Sequence, residues 1–369
     1  MNCVRQRGVR MRLCEYCIEN ILKNTESWGY HRCYACLREG SEWTVHDVEK
    51  NERCLFCWTL RHDVETLEPE LKEHSGPVYR WSIRSLSRIR ESLETVIVAF
   101  RQIPKANEDG GIGEEILLPE RTFYFFPEDA IAPLPSLEQL GTSTNPGENS
   151  DHQIKEWIET CNTTHTGCMK RRKAMTSSPR FVPTRLLDIS GPPESPMKIV
   201  ETAKTLVRGP YASLSHCWGL EKFVELVPET YKQFVEENGV PWHKLTKNFQ
   251  EAIEVARFLD IEYVWIDSLC IIQGPKGDFP SEASKMHQVY RNSYCNIAVV
   301  DSADGNGGLF RERDPDDITP VRYQAEKSAM FGSKAWAAVP GDLWDRELLR
   351  TKLYVRGWVF QGIFWQSRP

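Results

Sequence analysis

Three Cys-x-x-Cys pairs near the start of the chain restrict what its first 74 residues can fold into. Seven of the twelve cysteines in this 369-residue chain precede residue 58. The pairs are Cys14/Cys17, Cys33/Cys36 and Cys54/Cys57. One pair is a weak signal, but two pairs separated by tens of residues suit a tetrahedral Zn²⁺ ion, because each short turn presents two thiolates. We therefore predict a zinc-binding unit over residues 1–74.

Three pairs supply more thiolates than one four-ligand site can use. We predict that the zinc ligands are Cys14, Cys17, Cys54 and Cys57. Alternative ligands are Cys33, Cys36, His31 and His46. The competing interpretation is that some pairs are reduced cysteines packed in a core, where free cysteine is common.

A second group of metal-ligating residues lies further along the chain, at Cys161, His165 and Cys168. Three such residues within eight positions can hold a metal if a fourth ligand comes from elsewhere. We favour the simpler interpretation, in which small apolar thiols pack at the end of a helix.

The composition is that of a soluble globular protein, with 40% hydrophobic and 27% charged residues. The net charge of −6 gives no general attraction for nucleic acid or for an anionic membrane. No apolar stretch approaches the ~20 residues of a membrane-spanning helix, and no secretory signal begins the chain. We therefore predict a cytoplasmic protein with reduced cysteines and neither a membrane nor a nucleic-acid partner.

Turn-rich segments divide the rest of the chain. Residues 75–130 contain apolar runs typical of strands, at residues 94–100 and 122–126. Residues 131–196 are predicted to be a linker with a short helix at about 152–161. Residues 197–369 form the last predicted domain.

Strands and helices alternate in that last domain. Strands are predicted at residues 211–215, 263–266 and 296–300, and helices at 248–259 and 281–291. Asn248 is predicted to cap the first of these helices, with Glu251 returning to the cap N–H. This β-α-β-α-β order favours an α/β fold with a mainly parallel sheet covered by helices.

Several uncommon residues recur in a fixed order through this domain. They form the segments YASLSHCWG from Tyr211, YVWIDSLCIIQ from Tyr263, DFPSEASKMHQVY from Asp278 and RGWVFQ from Arg356. Together they resemble the fungal heterokaryon-incompatibility (HET) domain over Tyr211 to Gln361. The chain departs from the family pattern at Phe279, where the family has Trp, and at Gly362, where it has Glu.

The resemblance implies a role in fungal non-self recognition, in which activation of the domain triggers cell death. HET domains are also remotely similar to TIR domains, some of which cleave NAD⁺, so the resemblance implies a TIR-like sheet and NAD as a substrate. By analogy with the TIR-type enzymes, Glu282 is the predicted catalytic carboxylate. The simpler interpretation is a first-turn glutamate favoured by the helix dipole.

Further candidate site residues follow the predicted strands. Asp267 ends the second strand, where ligands of open α/β sheets bind, and is a second catalytic candidate. Ser215, His216 and Trp218 end the first strand and are candidates for binding the nucleotide. Alternatively, Asp267 is a cap or an ion-pair partner, and Trp218 is a buried structural residue.

Two functions remain open at this point. One is a death effector that hydrolyses NAD⁺ when assembled, and the other is a non-catalytic module that signals by oligomerising. Both imply self-association or binding to another incompatibility protein. A zinc-dependent regulator of nucleic acid is a third, less favoured interpretation.

Overall fold

The computed structural model describes residues 11–32, 53–60, 78–86, 94–102, 120–130, 141–147, 151–170, 181–314, 319–341 and 351–354. These residues fall into two units. The antiparallel unit comprises the described residues of 1–137 and 314–344, and the mixed-sheet unit comprises those of 138–313 and 345–369. The division predicted from the sequence, into residues 1–74, 75–130, 131–196 and 197–369, stays a prediction. The described residues of the first two segments belong to one unit.

The antiparallel unit is built on a six-stranded sheet. Its strands are β1 (Trp28–Arg32), β2 (Val78–Leu86), β3 (Thr95–Gln102), β4 (Arg121–Pro127), β10 (Val321–Gln324) and β11 (Ala335–Pro340), in the order β1-β2-β3-β4-β11-β10. All five pairings are antiparallel. The short helix α1 (Glu15–Cys17) runs into a π-turn (Ile18–Leu22), residues 55–60 are helical, and a 3₁₀ turn (Glu128–Ala130) follows β4.

Aromatic side chains fill the core of this unit. Strand β4 alternates strictly between buried and half-buried residues, as expected for a strand with one face on a core. Phe56 packs edge-on against Phe100 at a centroid distance of 5.1 Å, and Phe123 lies 4.7 Å from Phe56. The same core includes Cys14 and Cys57, so the cysteine pairs and the sheet share one hydrophobic interior.

The mixed-sheet unit contains five strands and six of the helices described. Its strands are β5 (Arg185–Asp188), β6 (Ile199–Glu201), β7 (Tyr211–Ser215), β8 (Tyr263–Trp265) and β9 (Asn296–Ala298). Its helices are α2 (Asp151–Thr163), α3 (Pro228–Tyr231), α4 (Lys247–Phe258), α5 (Asp267–Cys270), α6 (Phe279–Ala283) and α7 (Met286–Asn292). A π-turn (Lys232–Glu236) and a 3₁₀ turn (Trp242–Lys244) lie between α3 and α4.

The prediction of a TIR-like, mainly parallel sheet is wrong. In the mixed sheet the strand order is β6-β5-β8-β7-β9, and β7 pairs in parallel with β8 and β9. Strand β5 pairs antiparallel with both β6 and β8. Helical crossovers enforce parallel pairing only among β7, β8 and β9, whereas the short connection from β5 to β6 allows a hairpin-like pairing. The other sheet is wholly antiparallel, so parallel pairs are the minority.

The start of α4 also differs from the prediction. The cap position is Thr246 rather than Asn248, and both Asn248 and Glu251 are buried. Asn248 donates from Nδ2 to the carbonyl of Asp304 and accepts from the amide of Gly308 with Oδ1, each at 2.7 Å. These polar side chains therefore anchor a loop from another part of the chain instead of capping their own helix.

Gly308 shows how closely that loop approaches α4. Its φ is +77°, in the left-handed region that favours glycine, and a Cβ there would lie 2.7 Å from a carboxylate oxygen of Glu251. Glu251 accepts hydrogen bonds from the amides of Leu309 and Phe310.

Among the residues described, no helix is both long and apolar enough to cross a membrane.

Candidate functional site

A cavity of about 450 Å³ opens in the mixed-sheet unit where β7 and β8 end. Its wall includes residues that follow these two strands and residues of α6 and α7. The lining residues are Leu214, Ser215, His216, Trp218, Asp267, Gln273, Gly274, Phe279, Met286 and Tyr290. Carboxyl ends of parallel strands are the usual place for ligands in open α/β sheets, and the volume lies within the range of about 300–1,000 Å³ for small-molecule sites.

Asp267 is the carboxylate on the cavity wall, and three groups surround it. Its Oδ2 accepts a 3.0 Å hydrogen bond from the indole Nε1 of Trp218, and its Oδ1 accepts a 2.7 Å bond from the amide of Ser268. The Nε2 of His216 lies 3.9 Å from Oδ1. A quarter of the Asp267 side chain remains exposed. The carboxylate is thus fixed in direction and accessible to a ligand.

The other residues predicted to bind a nucleotide lie beside it. Ser215 donates its hydroxyl to Oδ1 of Asn296 at 3.1 Å, which links β7 to β9. The ring of His216 is buried and packs edge-on against Phe249 at 5.0 Å. Trp218 packs edge-on against Phe223 at 5.3 Å. The structure brings Ser215, His216, Trp218 and Asp267 together, and their catalytic and binding roles stay predictions.

An ion pair between a buried arginine and a half-buried aspartate holds a loop that contributes Gln273 and Gly274 to the wall. Arg185 on β5 pairs with Asp278 and donates to the carbonyl of Cys270 at 3.1 Å. The second oxygen of Asp278 accepts the amide of Ile272 at 2.8 Å. Gln273 donates from Nε2 to the carbonyls of Asp267 and Ile271. Loop 271–278 is therefore fixed by local contacts of Asp278 and Gln273 and by long-range contacts of Arg185.

Glu282 is absent from the lining residues of this cavity. It is buried on α6, where its Oε1 accepts from the hydroxyl of Thr184 and from Nζ of Lys285, each at 2.9 Å. The predicted helix at 281–291 is divided here into α6 and α7, with Ser284 and Lys285 between them. Glu282 thus has partners of a structural kind, and its predicted catalytic role is untested.

Sequence reasoning missed several lining residues, among them Gln273, Met286 and Tyr290. Gln273 ends the segment YVWIDSLCIIQ, and Met286 and Tyr290 lie in the helix predicted at 281–291, but nothing local in the sequence marks them as site residues. The hydroxyl of Tyr211 donates to the carbonyl of Val289 at 2.6 Å, which holds α7 beside β7. Arg185 carried no signal in the sequence, because its partner Asp278 is 93 positions away.

Cys270 lies close to the site in sequence, but its thiol is unreactive. It is completely buried, and this desolvation raises the pKa of its thiol to about 12. A thiol with that pKa stays protonated at neutral pH and is a poor nucleophile. Cysteine-based catalysis at Cys270 is therefore disfavoured.

Four buried cysteines form a second candidate site, in the antiparallel unit. The Sγ atoms of Cys14, Cys17, Cys54 and Cys57 lie within 4.8 Å of one another. Cys17 and Cys57 are 3.5 Å apart, Cys14 and Cys57 are 3.9 Å apart, and Cys17 and Cys54 are 3.8 Å apart. A tetrahedron with Zn–S bonds of ~2.3 Å has S···S edges of ~3.8 Å. This cluster can hold a metal ion and is compatible with zinc.

The thiols of the cluster interact strongly with one another. Hydrogen bonds with Cys14, Cys54 and Cys57, together with burial, raise the pKa of Cys17 well above its ordinary value. Four buried thiolates require a cation to balance their charge. Of the alternative ligands, Cys33, Cys36 and His46 lie outside the described residues, and His31 lies on β1.

Comparison with known proteins agrees with the resemblance seen in the sequence. Residues 211–362 match the family model described as Heterokaryon incompatibility protein (HET). The chain carries a HET domain. The matched range includes the strands and helices that line the cavity, and also β10 and β11. No match was found among curated proteins or among solved structures.

The match supports a role in heterokaryon incompatibility. The final motif, at residues 356–361, and Gly362 lie outside the described residues, so the departure at Gly362 has no structural account. The Asp267 cavity lies wholly within the range of the HET match. It is therefore the candidate functional site of this domain.

Proposed function

We propose that this chain is a cytoplasmic effector of heterokaryon incompatibility whose HET domain hydrolyses NAD⁺ and thereby causes cell death. The observation that carries the proposal is the Asp267 carboxylate, which is fixed by two hydrogen bonds and faces a cavity of ligand size. The HET match supports the biological role.

The reaction breaks the bond between nicotinamide N1 and ribose C1′. The bonding electron pair moves to the pyridinium nitrogen, so that nicotinamide leaves as a neutral molecule. Positive charge develops at C1′ and the ring oxygen, water adds to C1′, and one proton is released to solvent. The leaving group needs no dedicated acid, so the protein's main task is to stabilise the developing charge.

Asp267 is suited to that task because it is held before the substrate arrives. A carboxylate whose hydrogen bonds fix its direction needs little reorganisation as the positive charge develops. The Trp218 indole and the Ser268 amide hold the two oxygens. The aromatic rings of Trp218, Phe279 and Tyr290 line the same cavity and offer flat apolar surfaces for a nicotinamide or adenine ring.

The four-cysteine cluster fits a structural rather than a catalytic metal. All four ligands are buried within a hydrophobic core, so no open coordination position faces a ligand cavity. We assign zinc to this cluster as a stabiliser of the antiparallel unit.

Self-association, or binding to another incompatibility protein, belongs to the same proposal. Leu206 and Leu220 are exposed at 74% and 104%, and Phe279 at the cavity is exposed at 45%. A large exposed apolar side chain is a point at which contact with another protein removes apolar surface from water. Light scattering of the wild type and of Leu220→Ser tests whether assembly accompanies activity.

The proposal is tested by comparing the wild type with Asp267→Asn. The purified chain is incubated with NAD⁺ and nicotinamide release is measured, while cells expressing the same variants are followed for viability and NAD⁺ content. We expect Asp267→Asn to lower nicotinamide release by about 10²–10³-fold, the effect of losing one preorganised electrostatic group. Asp301→Asn is the matched control, because the Asp301 side chain is 85% exposed and is not among the lining residues.

Two outcomes contradict the proposal in different ways. If the wild type kills cells with no fall in NAD⁺, the enzymatic function fails and a non-catalytic oligomerising module is favoured. If Glu282→Gln abolishes nicotinamide release while Asp267→Asn keeps it, the chemistry depends on Glu282 and the role given to Asp267 is wrong.

A further inference from the structure

A group of metal-ligating side chains lies at the end of α2, outside both sites described above. Cys161 stands in the last turn of α2, His165 follows it, and Cys168 lies in the helical segment 166–170. The two Sγ atoms and an imidazole nitrogen all lie within 4.8 Å of one another. The sequence alone favoured ordinary thiol packing, but that interpretation does not require His165 to join the two thiols.

Backbone geometry explains how the three side chains come together. Positions i, i+4 and i+7 share one face of a helix. The helix is interrupted at His165, but the amide of Thr164 still donates to Thr160 and that of Met169 donates to His165, at 2.9 and 3.0 Å. Helical hydrogen-bond spacing holds on either side of the interruption, and the three ligand atoms converge to within 4.8 Å of one another across it.

The environment of this group suits a metal in contact with water. Cys161 and Cys168 are half-buried and His165 is exposed. A Cβ added at Gly167 would meet no atom within 4 Å, so the turn beside the ligands is open. Two thiolates and one imidazole are a ligand set that selects zinc among common biological divalent ions, and sites with three protein ligands keep a water in the fourth position.

We propose that Cys161, His165 and Cys168 bind a zinc ion whose fourth position is open to solvent. Ligand atoms up to 4.8 Å apart need only rotamer-scale movement to reach the edges of ~3.4–3.8 Å of a Cys₂His tetrahedron. Because the site is at the surface and incomplete, its zinc exchanges more readily than an ion enclosed by four buried cysteines. This proposal is independent of the one for NAD⁺.

The test begins with the metal content of the full chain, prepared with excess zinc and then desalted. We expect two zinc ions per wild-type chain, one per chain in Cys161→Ser/Cys168→Ser, and one per chain in Cys14→Ser/Cys17→Ser. Cys217→Ala should keep two, since Cys217 packs in a separate apolar cluster. The proposal fails if Cys161→Ser/Cys168→Ser holds as many zinc ions as the wild type.

A second measurement does not depend on disturbing a helix. His165 is exposed, so His165→Ala should fold normally, and we expect it to weaken zinc binding at this site at least about tenfold. His243→Ala is the control, as His243 is also exposed in the same unit. With the four-cysteine cluster already filled by zinc, Co²⁺ added to the wild type should give a tetrahedral spectrum with thiolate charge transfer, and the same Co²⁺ concentration should give a much weaker spectrum with His165→Ala. The assignment is wrong if protein purified under reducing conditions contains a Cys161–Cys168 disulfide. It is also wrong if His165→Ala and His243→Ala bind Co²⁺ equally well.

Discussion

The two units place their reactive side chains in opposite ways. In the antiparallel unit the four cysteines are enclosed in the hydrophobic core, next to aromatic side chains such as Phe56. In the mixed-sheet unit Asp267, Trp218 and Phe279 gather at an open cavity where parallel strands end. Metal-ligating side chains enclosed in a core can stabilise the fold but are shielded from a substrate. Polar and aromatic side chains at strand ends are accessible to a ligand. The four-cysteine cluster is therefore placed for a structural role, and the Asp267 cavity is placed for contact with a ligand.

The largest expected effect follows from removing two of the four cysteines to which we assign zinc in the antiparallel unit. Structural zinc contributes about 10–16 kcal/mol in small zinc-dependent folds, which rivals the whole stability of an ordinary domain at about 5–15 kcal/mol. We expect Cys17→Ser/Cys57→Ser to lose one zinc per chain and to unfold this unit. Hydrogen exchange read by mass spectrometry should show loss of protection in β2, β3 and β4.

The comparison between the units predicts that this loss of hydrogen-exchange protection is confined to the antiparallel unit. Amides of β7 and β8 should keep their protection, because the Asp267 cavity is built without those cysteines. Cys217→Ala, which removes a buried cysteine outside the cluster, should leave the protection of β2 to β4 unchanged. Uniform loss of protection throughout the chain would show that the two units do not fold separately.

A smaller effect distinguishes buried from exposed charge in the two units. The side chain of Arg185 is 7% exposed beside Asp278, whereas Arg101 is 72% exposed beside Glu120 in the antiparallel unit. Removing one member of a fully buried pair costs about 3–5 kcal/mol, whereas an exposed pair contributes about 0–1 kcal/mol. Because the Asp278 side chain is 27% exposed, Arg185→Ala should cost an amount between these two ranges. We expect Arg185→Ala to lower the free energy of unfolding by the larger amount and Arg101→Ala by the smaller. Chemical denaturation followed by tryptophan fluorescence measures both, and equal losses would contradict the role given to Arg185.

The same contrast explains what the sequence could predict. Strands β7, β8 and β9 and helix α4 were found from short apolar runs, because local periodicity reflects the buried face of each element. One predicted helix covers most of α6 and α7, and the short helices α3 and α5 were not predicted. β10 and β11 were missed. Strand β11 pairs with β4, so that Trp336 lies opposite Pro127, and no local pattern encodes a pairing across two hundred residues. The antiparallel edge formed by β5 and β6 escaped prediction for a related reason, since the parallel rule applies only where helices connect successive strands.

The candidate site was predictable to the extent that it follows strand ends. Asp267 and Trp218 each follow a strand, and both line the cavity. Asn248 and Arg185 were misjudged or missed, because their partners come from distant loops and a polar side chain near a helix start is equally suited to capping. Local signals therefore locate the site, while the contacts that fix its walls are long-range.

The smallest expected effect concerns Cys270, which differs from the clustered cysteines in having no thiol partners. Its pKa is about 12 because it is buried, while in the unfolded chain it is near the ordinary value of about 8.5. Between these values the folded state keeps a proton that the unfolded state releases. Its contribution to stability is therefore complete below pH ~8.5 and is lost as the pH rises, at about 1.4 kcal/mol per pH unit.

Comparing the wild type with Cys270→Ala isolates the contribution of this thiol, since the other thiols are common to both proteins. We expect the stability of the wild type relative to the variant to fall from pH 8.5 to pH 10, measured by urea denaturation with zinc held constant. A pH-independent difference would mean that the thiol is reached by solvent and ionises in the folded protein as it does in the unfolded one.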